Sequence, residues 1–260
     1  MKKILILIFL FILIPVVKAE ETEDLAPNAK SAIMIEASTG EILFQKNANE
    51  KLAPASMTKM MSMLLIMEEI EKGNLKYDEE ITASENASSM GGSQIFLQAG
   101  EKMTVTEMLK GIAIASGNDA TVAMAERIAG SEEAFVKKMN SRAKELGLKN
   151  TNFVTSTGLD ADNHYSSAYD MALIAKELVK HEKILEFTGT YEEYLRKNSK
   201  NPFWLVNTNK LVRFYQGVDG LKTGFTNIAG YCLTATAKKD NMRLITVVMN
   251  EPDSAKRSSD

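Results

Sequence analysis

The stretch Ala53-Pro54-Ala55-Ser56-Met57-Thr58-Lys59 starts the segment around which the rest of the chain is organised. Pro54 suits the first position of a helix, where a missing backbone N–H is tolerated. The residues that follow are apolar on almost every side, which is typical of a buried helix. They are Met57, Met60, Met61, Met63, Leu64, Leu65, Ile66 and Met67. Charged residues from Glu68 onward make the run too short to span a bilayer. The stretch therefore predicts a core helix with Ser56 on its first turn.

Ser56 and Lys59 are three residues apart, so a helix places their side chains on one face. A serine hydroxyl becomes a good nucleophile when an adjacent base accepts its proton. An amine can be that base only when it is neutral, and both burial and a second nearby cation lower the pKa of a lysine. The pair is thus a candidate nucleophile and base, provided that the chain supplies a second cation.

Composition excludes several classes of protein. The 260 residues are 45% hydrophobic and carry a net charge of −3, without a basic stripe, so nucleic acid is not an expected partner. Cys232 is the only cysteine, which excludes an internal disulfide. Because the chain has only His164 and His181 besides it, we expect no zinc site, and we predict no metal or cofactor.

Residues 1–19 have the composition of a secretory signal peptide. Lys2 and Lys3 precede an apolar stretch, and the small residues Val17 and Ala19 stand at the −3 and −1 positions of a cleavage site. The alternative is an uncleaved N-terminal anchor. We predict an exported protein that acts at the cell wall or on the outer face of the cytoplasmic membrane. Residues 20–28 are predicted to be a short linker, and residues 29–260 one domain.

Strand patterns lie at both ends of the chain and helix patterns lie between them. One predicted hairpin covers residues 31–45 around Ser38-Thr39-Gly40, and another covers residues 230–249. The helices between are marked by start signals at Thr104 with Glu107, at Asp119, at Ser131 and at Ser167. This order predicts an α+β fold, in which one antiparallel sheet is built from the N- and C-terminal strands and a helical lobe is inserted into it.

Two further short motifs stand in informative places. Ser116-Gly117-Asn118 lies between two predicted helices, and Lys222-Thr223-Gly224 lies just before the C-terminal hairpin. Similar patterns at Ser141-x-x-Lys144, Ser84-x-Asn86 and Ser199-x-Asn201 lie on a solvated helix face or in polar stretches. Context therefore favours Ser56, Ser116 and Lys222 as the members of one site.

The order Ser-x-x-Lys, Ser-x-Asn, Lys-Thr-Gly is that of penicillin-binding proteins and class A β-lactamases. With the flanks Ser116-Gly-Asn-Asp-Ala120, Gly158-Leu-Asp160 and Asp219-Gly-Leu-Lys-Thr-Gly224, the chain resembles the D-alanyl-D-alanine carboxypeptidases, the low-molecular-mass penicillin-binding proteins, from about Pro27 to its end. The resemblance implies a β-lactamase/transpeptidase-like fold. It also implies removal of the terminal D-alanine from peptidoglycan stem peptides through an acyl-enzyme, with β-lactam antibiotics as covalent inhibitors.

Chemistry and the resemblance imply the same roles. Ser56 would attack the carbonyl carbon and Lys59 would accept its proton. Lys222 would be the second cation, which keeps Lys59 neutral and attracts the substrate carboxylate. Ser116 would relay a proton to the leaving amine, and Asn118 would bind the substrate amide. Thr223 would bind the terminal carboxylate, and Gly224 would let the substrate backbone approach closely. The N–H groups of Ser56 and Phe225 would form the oxyanion hole.

Three alternatives remain open. A DD-endopeptidase would use the same nucleophile on cross-links. A β-lactamase would need a glutamate that holds a water, yet residues 150–166 contain no glutamate and Gly117 replaces the aspartate of Ser-Asp-Asn. An inactive penicillin sensor would not need all three motifs. His164, Asp160 and Asp162 lie in the same polar loop, where we expect local hydrogen bonds rather than catalysis.

Members of the family that the chain resembles are usually longer, so we expect this chain to be either a fragment or a short version. Relatives usually continue with a closing helix, often a β-rich domain and an amphipathic C-terminal anchor. We therefore expect the domain to be truncated at its C-terminal end, the last apolar strand to lack its cover, and contact with a membrane surface to depend on the missing segment. Relatives place an arginine at a substrate-carboxylate site, but we leave Arg257 outside the predicted site because it stands so close to the chain end.

Overall fold

The computed structural model describes residues 24–260, so the predicted signal peptide lies outside the described residues. The strands are β1 (Ser31–Glu36), β2 (Ile42–Lys46), β3 (Glu80–Thr82), β4 (Lys102–Thr104), β5 (Glu192–Leu195), β6 (Phe203–Val206), β7 (Val218–Thr226), β8 (Gly230–Lys239) and β9 (Met242–Glu251). The α-helices are α1 (Lys59–Glu71), α2 (Glu85–Ser88), α3 (Val105–Ala115), α4 (Asn118–Ala129), α5 (Glu132–Glu145), α6 (Ala168–Leu178), α7 (Lys183–Thr188), α8 (Leu211–Phe214) and α9 (Ser254–Ser259). A 3₁₀ helix covers Ala55–Thr58, directly before α1.

The two predicted hairpins and β7 form one antiparallel sheet of five strands in the order β2-β1-β9-β8-β7. β9 lies at the centre of this sheet, where Ile33 of β1 pairs with Val247 of β9. All the described helices except α9, which follows β9, are inserted between β2 and β7. The predicted α+β fold is therefore confirmed. Because β7 is an edge strand, only one side of its backbone is paired with another strand.

The predicted core helix is α1, and it begins after the 3₁₀ helix rather than at Pro54. Met57, Met60, Met61 and Met63 have no measurable exposure. α1 packs against α4 and α6, and α6 packs in turn against β1 and β9. The element that carries Ser56 is thus held between the sheet and the helical lobe, which restricts its movement.

Most helix starts agree with the sequence. The capping box of Thr104 and Glu107 is present, and Ser131 and Ser167 accept backbone N–H groups at their predicted helix starts. The prediction for Asp119 is wrong, because α4 starts at Asn118 with Gly117 as its N-cap. Asp119 stands one position inside the helix, and its carboxylate accepts N–H groups from the preceding loop.

Small residues of the N-terminal segment cover part of the outer face of the sheet. Ala26 and Ala29 pack with Val248 of β9, which is 5% exposed. Lys46 Nζ donates to Ala26 O at 2.8 Å and fixes this segment to β2. The described part of the predicted linker is therefore packed on the sheet. The expectation that the last strand lacks its cover is wrong, because these small residues lie on one of its faces and α6 lies on the other.

Several elements had no strong signal in the sequence. The β5–β6 hairpin and the short α7 and α8 were not predicted, because their apolar runs are only a few residues long. None of the helices in residues 24–260 combines the length and the apolar character that a bilayer crossing requires.

Candidate active site

Ser56 lies in a tight backbone turn at the entrance to the core. Ala55 has a positive φ of 47°, which is uncommon for a residue with a Cβ atom. Ser56 itself is partly exposed, while Met57, Thr58 and Lys59 are buried. The turn therefore presents the Ser56 hydroxyl to solvent from an otherwise closed element. The backbone N–H of Ser56 belongs to the first turn of the 3₁₀ helix, where such groups have no partner within the helix.

Lys59 contacts Ser56, the candidate nucleophile, directly. Its Nζ lies 2.9 Å from Ser56 Oγ and donates to Thr157 O at 2.7 Å. Burial lowers the pKa of Lys59 well below its ordinary value, and the positive charge of Lys222 lowers the pKa further. Asp119 acts in the opposite direction but is outweighed. A lowered pKa favours the neutral form of the amine, which is the form that can accept a proton.

Lys222 is the second cation near Lys59. It is 1% exposed, lies on β7, and donates from Nζ to Thr223 O at 2.9 Å. Burial lowers the pKa of Lys222 to about 7, and the nearby guanidinium of Arg257 contributes to the shift. The charge on this lysine is thus sensitive to pH in the physiological range.

Arg257 belongs to the same group of cations, although the sequence analysis left it outside the site. It is carried by α9, and its Nε is buried without a hydrogen-bond partner in residues 24–260. Its guanidinium lies 5.9 Å from the ring centroid of Tyr231 on β8. An unpaired buried donor beside Lys222 indicates a place for an anion. Relatives place an arginine at a substrate-carboxylate site. That family feature is the one sequence signal that could have assigned Arg257 to this site.

Ser116 and Asn118 lie where α3 ends and α4 begins, and both helices pack on α1. Ser116 caps α3 in the left-handed conformation, with a φ of 63°. Its Oγ and the Oδ1 of Asn118 are buried and have no partner within residues 24–260. Asn118 Nδ2 donates to Gly91 O at 2.7 Å, which fixes the direction of the amide. These free polar atoms are available to a substrate or to water.

The loop that precedes this junction is held by a buried carboxylate. Asp119 accepts N–H groups from Ile95 at 3.1 Å and from Leu97 at 2.9 Å. The N–H of Asn118 donates to Ser93 O at 2.7 Å. Residues 91–97 are therefore attached to the start of α4 and form one rim of the candidate site.

β7 passes directly in front of the nucleophile turn. A Cβ atom on Gly224 would stand 2.8 Å from Pro54 O and 3.1 Å from Ser56 N, so only glycine fits there without movement. Phe225 is 51% exposed, and its ring lies 4.3 Å from that of Tyr231, centroid to centroid. The predicted oxyanion donors Ser56 and Phe225 therefore belong to two backbone segments in close contact.

Residues 155–164 close the site from another side, and their side chains make both the expected local hydrogen bonds and long-range ones. Thr58 Oγ1 lies 2.8 Å from His164 Nε2, and His164 Nδ1 accepts the N–H groups of Val154 and Thr155 at 3.0 and 3.3 Å. Burial lowers the pKa of His164 to about 4, so the ring is neutral. Asp160 accepts a hydrogen bond from Thr226 on β7 at 2.7 Å. His164 therefore has a local structural role.

A glutamate outside this loop reaches it in space. Glu132 Oε1, at the start of α5, accepts from Ser156 N at 2.9 Å and from Ser156 Oγ at 2.7 Å. The carboxylate is thereby occupied with the loop backbone. In residues 24–260, no group of histidine, cysteine, aspartate and glutamate side chains is arranged to hold a metal ion.

A comparison with known proteins agrees with this geometry. A family model described as D-alanyl-D-alanine carboxypeptidase matches residues 17–253. The D-alanyl-D-alanine carboxypeptidase DacF of Bacillus subtilis strain 168 is 64% identical over 240 residues, which are 92% of this chain and 62% of the relative. The chain therefore spans about three fifths of the length of that relative.

Solved structures give the same result. The D-alanyl-D-alanine carboxypeptidase DacD from Francisella tularensis is similar with a TM-score of 0.85 and 33% identity, over 89% of this chain and 68% of that one. Penicillin-binding protein D2 from Listeria monocytogenes, in its ampicillin-bound form, is similar with a TM-score of 0.79 and 31% identity, over 88% of this chain and 92% of that one.

Proposed function

The chain belongs to the D-alanyl-D-alanine carboxypeptidase family, and we propose that it releases the terminal D-alanine from peptidoglycan stem peptides through an acyl-enzyme on Ser56. One observation carries the proposal. Lys59 Nζ is 2.9 Å from Ser56 Oγ, it is fully buried, and its pKa is well below the ordinary value. A hydroxyl in contact with a neutral amine is a nucleophile beside its general base.

Acylation starts with transfer of the Ser56 proton to the lone pair of Lys59 Nζ. The contact with Thr157 O holds the amine in place, since that carbonyl accepts one of its N–H groups at 2.7 Å. As Ser56 Oγ bonds to the substrate carbonyl carbon, negative charge moves to the carbonyl oxygen. The N–H groups of Ser56 and Phe225 stabilise that charge, because backbone donors next to the nucleophile need no rearrangement.

The terminal carboxylate of the substrate binds among Lys222, Thr223 and Arg257. Burial is the main cause that lowers the pKa of Lys222 to about 7, and repulsion by the nearby charge of Arg257 lowers it further. A carboxylate placed between them neutralises this repulsion. Asn118 binds the amide of the stem peptide, and Gly224 lets the substrate backbone lie along the open edge of β7.

Release of D-alanine requires a proton on the leaving amine. The unpaired Ser116 Oγ donates it and is reprotonated from Lys59, which carries the proton taken from Ser56. The acyl-ester is then hydrolysed by water. A fast β-lactamase is less favoured, because residues 150–166 contain no glutamate that could activate a water, and Glu132 is hydrogen-bonded to Ser156 at 2.7 and 2.9 Å. β-Lactams would therefore be slowly released covalent inhibitors.

The proposed substrate lies outside the cytoplasm, in agreement with the signal-peptide pattern of residues 1–19. Export to the cell wall or to the outer face of the cytoplasmic membrane is part of the proposal. Contact with a membrane surface, through a segment beyond residue 260, stays a prediction from the family resemblance.

The experiment measures D-alanine release from a pentapeptide that ends in D-Ala-D-Ala, together with labelling of Ser56 by a fluorescent penicillin. We expect both from the wild type and neither from Ser56→Ala. Ser141→Ala is the matched control, because Ser141 stands in the same Ser-x-x-Lys pattern on a solvated helix face. Labelling without release would favour a penicillin sensor, and release only from cross-linked dimers would favour a DD-endopeptidase.

A further inference from the structure

We propose that Thr208 is a positioning residue for Thr223. In the proposed function, the Thr223 hydroxyl donates a hydrogen bond to the terminal carboxylate of the substrate. The juxtaposition of these two hydroxyl groups, one on the edge strand and one on the loop after β6, carries the inference. It rests on the proposed function, because it concerns the carboxylate pocket of the same site. Neither the three motifs nor the family resemblance assigned a role to Thr208.

The contact between the two threonines is direct. Thr223 Oγ1 donates to Thr208 Oγ1 at 2.7 Å. Thr223 is 5% exposed, whereas Thr208 is exposed at the surface. The hydroxyl of Thr208 therefore lies on the solvent side of Thr223, where a substrate would enter.

The loop that carries Thr208 is built to hold this residue still. Asn207 Nδ2 donates to Thr188 O at 2.9 Å and to Thr190 O at 2.8 Å, and Asn209 Nδ2 donates to Gly220 O at 3.1 Å. Both asparagines are 2% exposed. Thr208 thus lies between two buried asparagines whose side-chain amides are fixed to backbone carbonyl groups. This arrangement leaves the exposed threonine little freedom to move.

The backbone of Thr208 also connects the other half of the site. Its N–H donates to Ile114 O at 3.2 Å, in the last turn of α3 and two residues before Ser116. Thr208 thus lies between the helix that ends at Ser116 and the strand that carries Lys222 and Thr223. A change in the position of the Thr208 hydroxyl would therefore first alter the position of Thr223 in the carboxylate pocket.

The chemistry explains why a hydroxyl is needed at position 208. In the free protein the proton of Thr223 is directed at Thr208 Oγ1. When a carboxylate arrives, that proton turns to the ligand, and the Thr208 hydroxyl can turn and donate to Thr223 Oγ1 instead. Each proton stays on its own oxygen, and Thr223 keeps a hydrogen bond in both states. Valine at position 208 can neither accept nor donate, so the Thr223 hydroxyl would lose this support.

The first test measures kcat and KM for D-alanine release by Thr208→Val, Thr208→Ser and Thr190→Val. Thr190 is the matched control, since its hydroxyl makes one hydrogen bond, to Glu186 O, on the same side of the molecule. We expect Thr208→Val to raise KM by about threefold to tenfold with a smaller change in kcat, which is the range of one net hydrogen bond. Thr208→Ser and Thr190→Val should stay within about twofold of the wild type. An unchanged KM for Thr208→Val, or an equal loss in Thr190→Val, would overturn the proposal.

The second test is a double-mutant cycle on the rate of labelling by a fluorescent penicillin, which also carries a carboxylate. If Thr208 acts through Thr223, Thr208→Val slows labelling in the wild-type background and has no further effect beside Thr223→Val. Additive effects of the two substitutions would overturn the proposal. Thermal melts identify a variant that has merely unfolded, and in that case Thr208→Ala replaces Thr208→Val in the cycle.

The two proposals fail in different ways. A wild type that is labelled but releases no D-alanine contradicts the carboxypeptidase proposal, while the labelling cycle still decides the role of Thr208. A wild type that releases D-alanine, with no response to Thr208→Val, overturns only the Thr208 inference. A wild type with neither activity contradicts both.

Discussion

Gly158 passes so close to the Ala55 carbonyl group that a Cβ atom on Gly158 would stand 1.9 Å from Ala55 O. Ala55 is the residue immediately before the nucleophile, and both residues have positive φ angles, 83° for Gly158 and 47° for Ala55. The loop of residues 155–164 and the Ser56 turn are thus in contact through bare backbone. The position of Ser56 therefore depends on a loop that lies about a hundred residues away along the chain.

We predict that Gly158→Ala disrupts this contact and slows acylation of Ser56. Gly147→Ala is the matched control, because Gly147 also has a positive φ, of 73°, but has open space around its Cβ position. The control should cost about 1–2 kcal/mol in the free energy of unfolding, from the backbone conformation alone. Gly158→Ala should cost at least about 1–3 kcal/mol more, from the clash. Denaturant unfolding and penicillin labelling measure the two effects, and equal losses would show that the contact is unimportant.

Lys59→Ala should lower the acylation rate by about 10²- to 10⁴-fold, because a positioned general base contributes that much. Lys144→Ala is its control, since Lys144 ends the other Ser-x-x-Lys pattern and is exposed on α5. The measurement is the rate of labelling by a fluorescent penicillin at several pH values. An acylation rate in Lys59→Ala close to that of the wild type would exclude this lysine as the base.

The charge of Lys222 predicts a dependence of KM on pH. Because its pKa is lowered to about 7, Lys222 is charged below that pH and increasingly neutral above it. KM for a substrate with a terminal carboxylate should therefore rise as the pH increases through about 7. Arg257→Gln removes the neighbouring cation that lowers the pKa of Lys222, so this rise should move to higher pH, while KM is higher throughout. A midpoint that stays in place, or moves to lower pH, would contradict the coupling of the two cations.

Lys222 also affects stability, with a sign that follows from its lowered pKa. In the unfolded chain it has the ordinary lysine pKa of 10.5 and is protonated, while the folded form is mostly neutral above about pH 7. Between these two values the unfolded state binds more protons, so the contribution of Lys222 to the free energy of unfolding rises with pH. Lys222→Met should remove this contribution, so the free energy of unfolding should rise less with pH than in the wild type. Denaturant unfolding at pH 7 and pH 9.5 measures the difference.

His164 is predicted to stabilise the fold rather than to catalyse. His164→Ala leaves the N–H groups of Val154 and Thr155 without their acceptor and should cost about 2–3 kcal/mol in the free energy of unfolding. The pKa of His164 is lowered from 6.5 to about 4, so the unfolded state binds more protons between these values, and stability falls as the pH falls from about 6.5 to about 4. In His164→Ala, this fall in the free energy of unfolding between about pH 6.5 and about pH 4 should be absent. A variant of unchanged stability but lost D-alanine release would assign His164 to catalysis instead.

Much of this architecture was predictable from local pattern. The buried helix behind Ser56, the capping box at Thr104 and the two hairpins follow from apolar spacing and turn residues, which act over a few neighbouring positions. The start of α4 was predicted wrongly because Asp119 looked like an N-cap, whereas its carboxylate bonds to Ile95 and Leu97 in a loop more than twenty residues earlier. Local propensity gives no information about such a distant partner.

The sequence by itself determined the order of the three motifs, the identity of Ser56, Lys59 and Lys222, and the hairpin–helices–hairpin arrangement, because each of these is encoded by residues close together in the chain. Only the tertiary structure decided that Lys59 is buried beside a second cation, that Arg257 lies near Lys222 and Thr208 bonds to Thr223, and that Gly158 and Gly224 lie against the Ser56 turn. Burial, charge repulsion and close backbone contact depend on distances in space, and the folded packing of distant segments sets those distances.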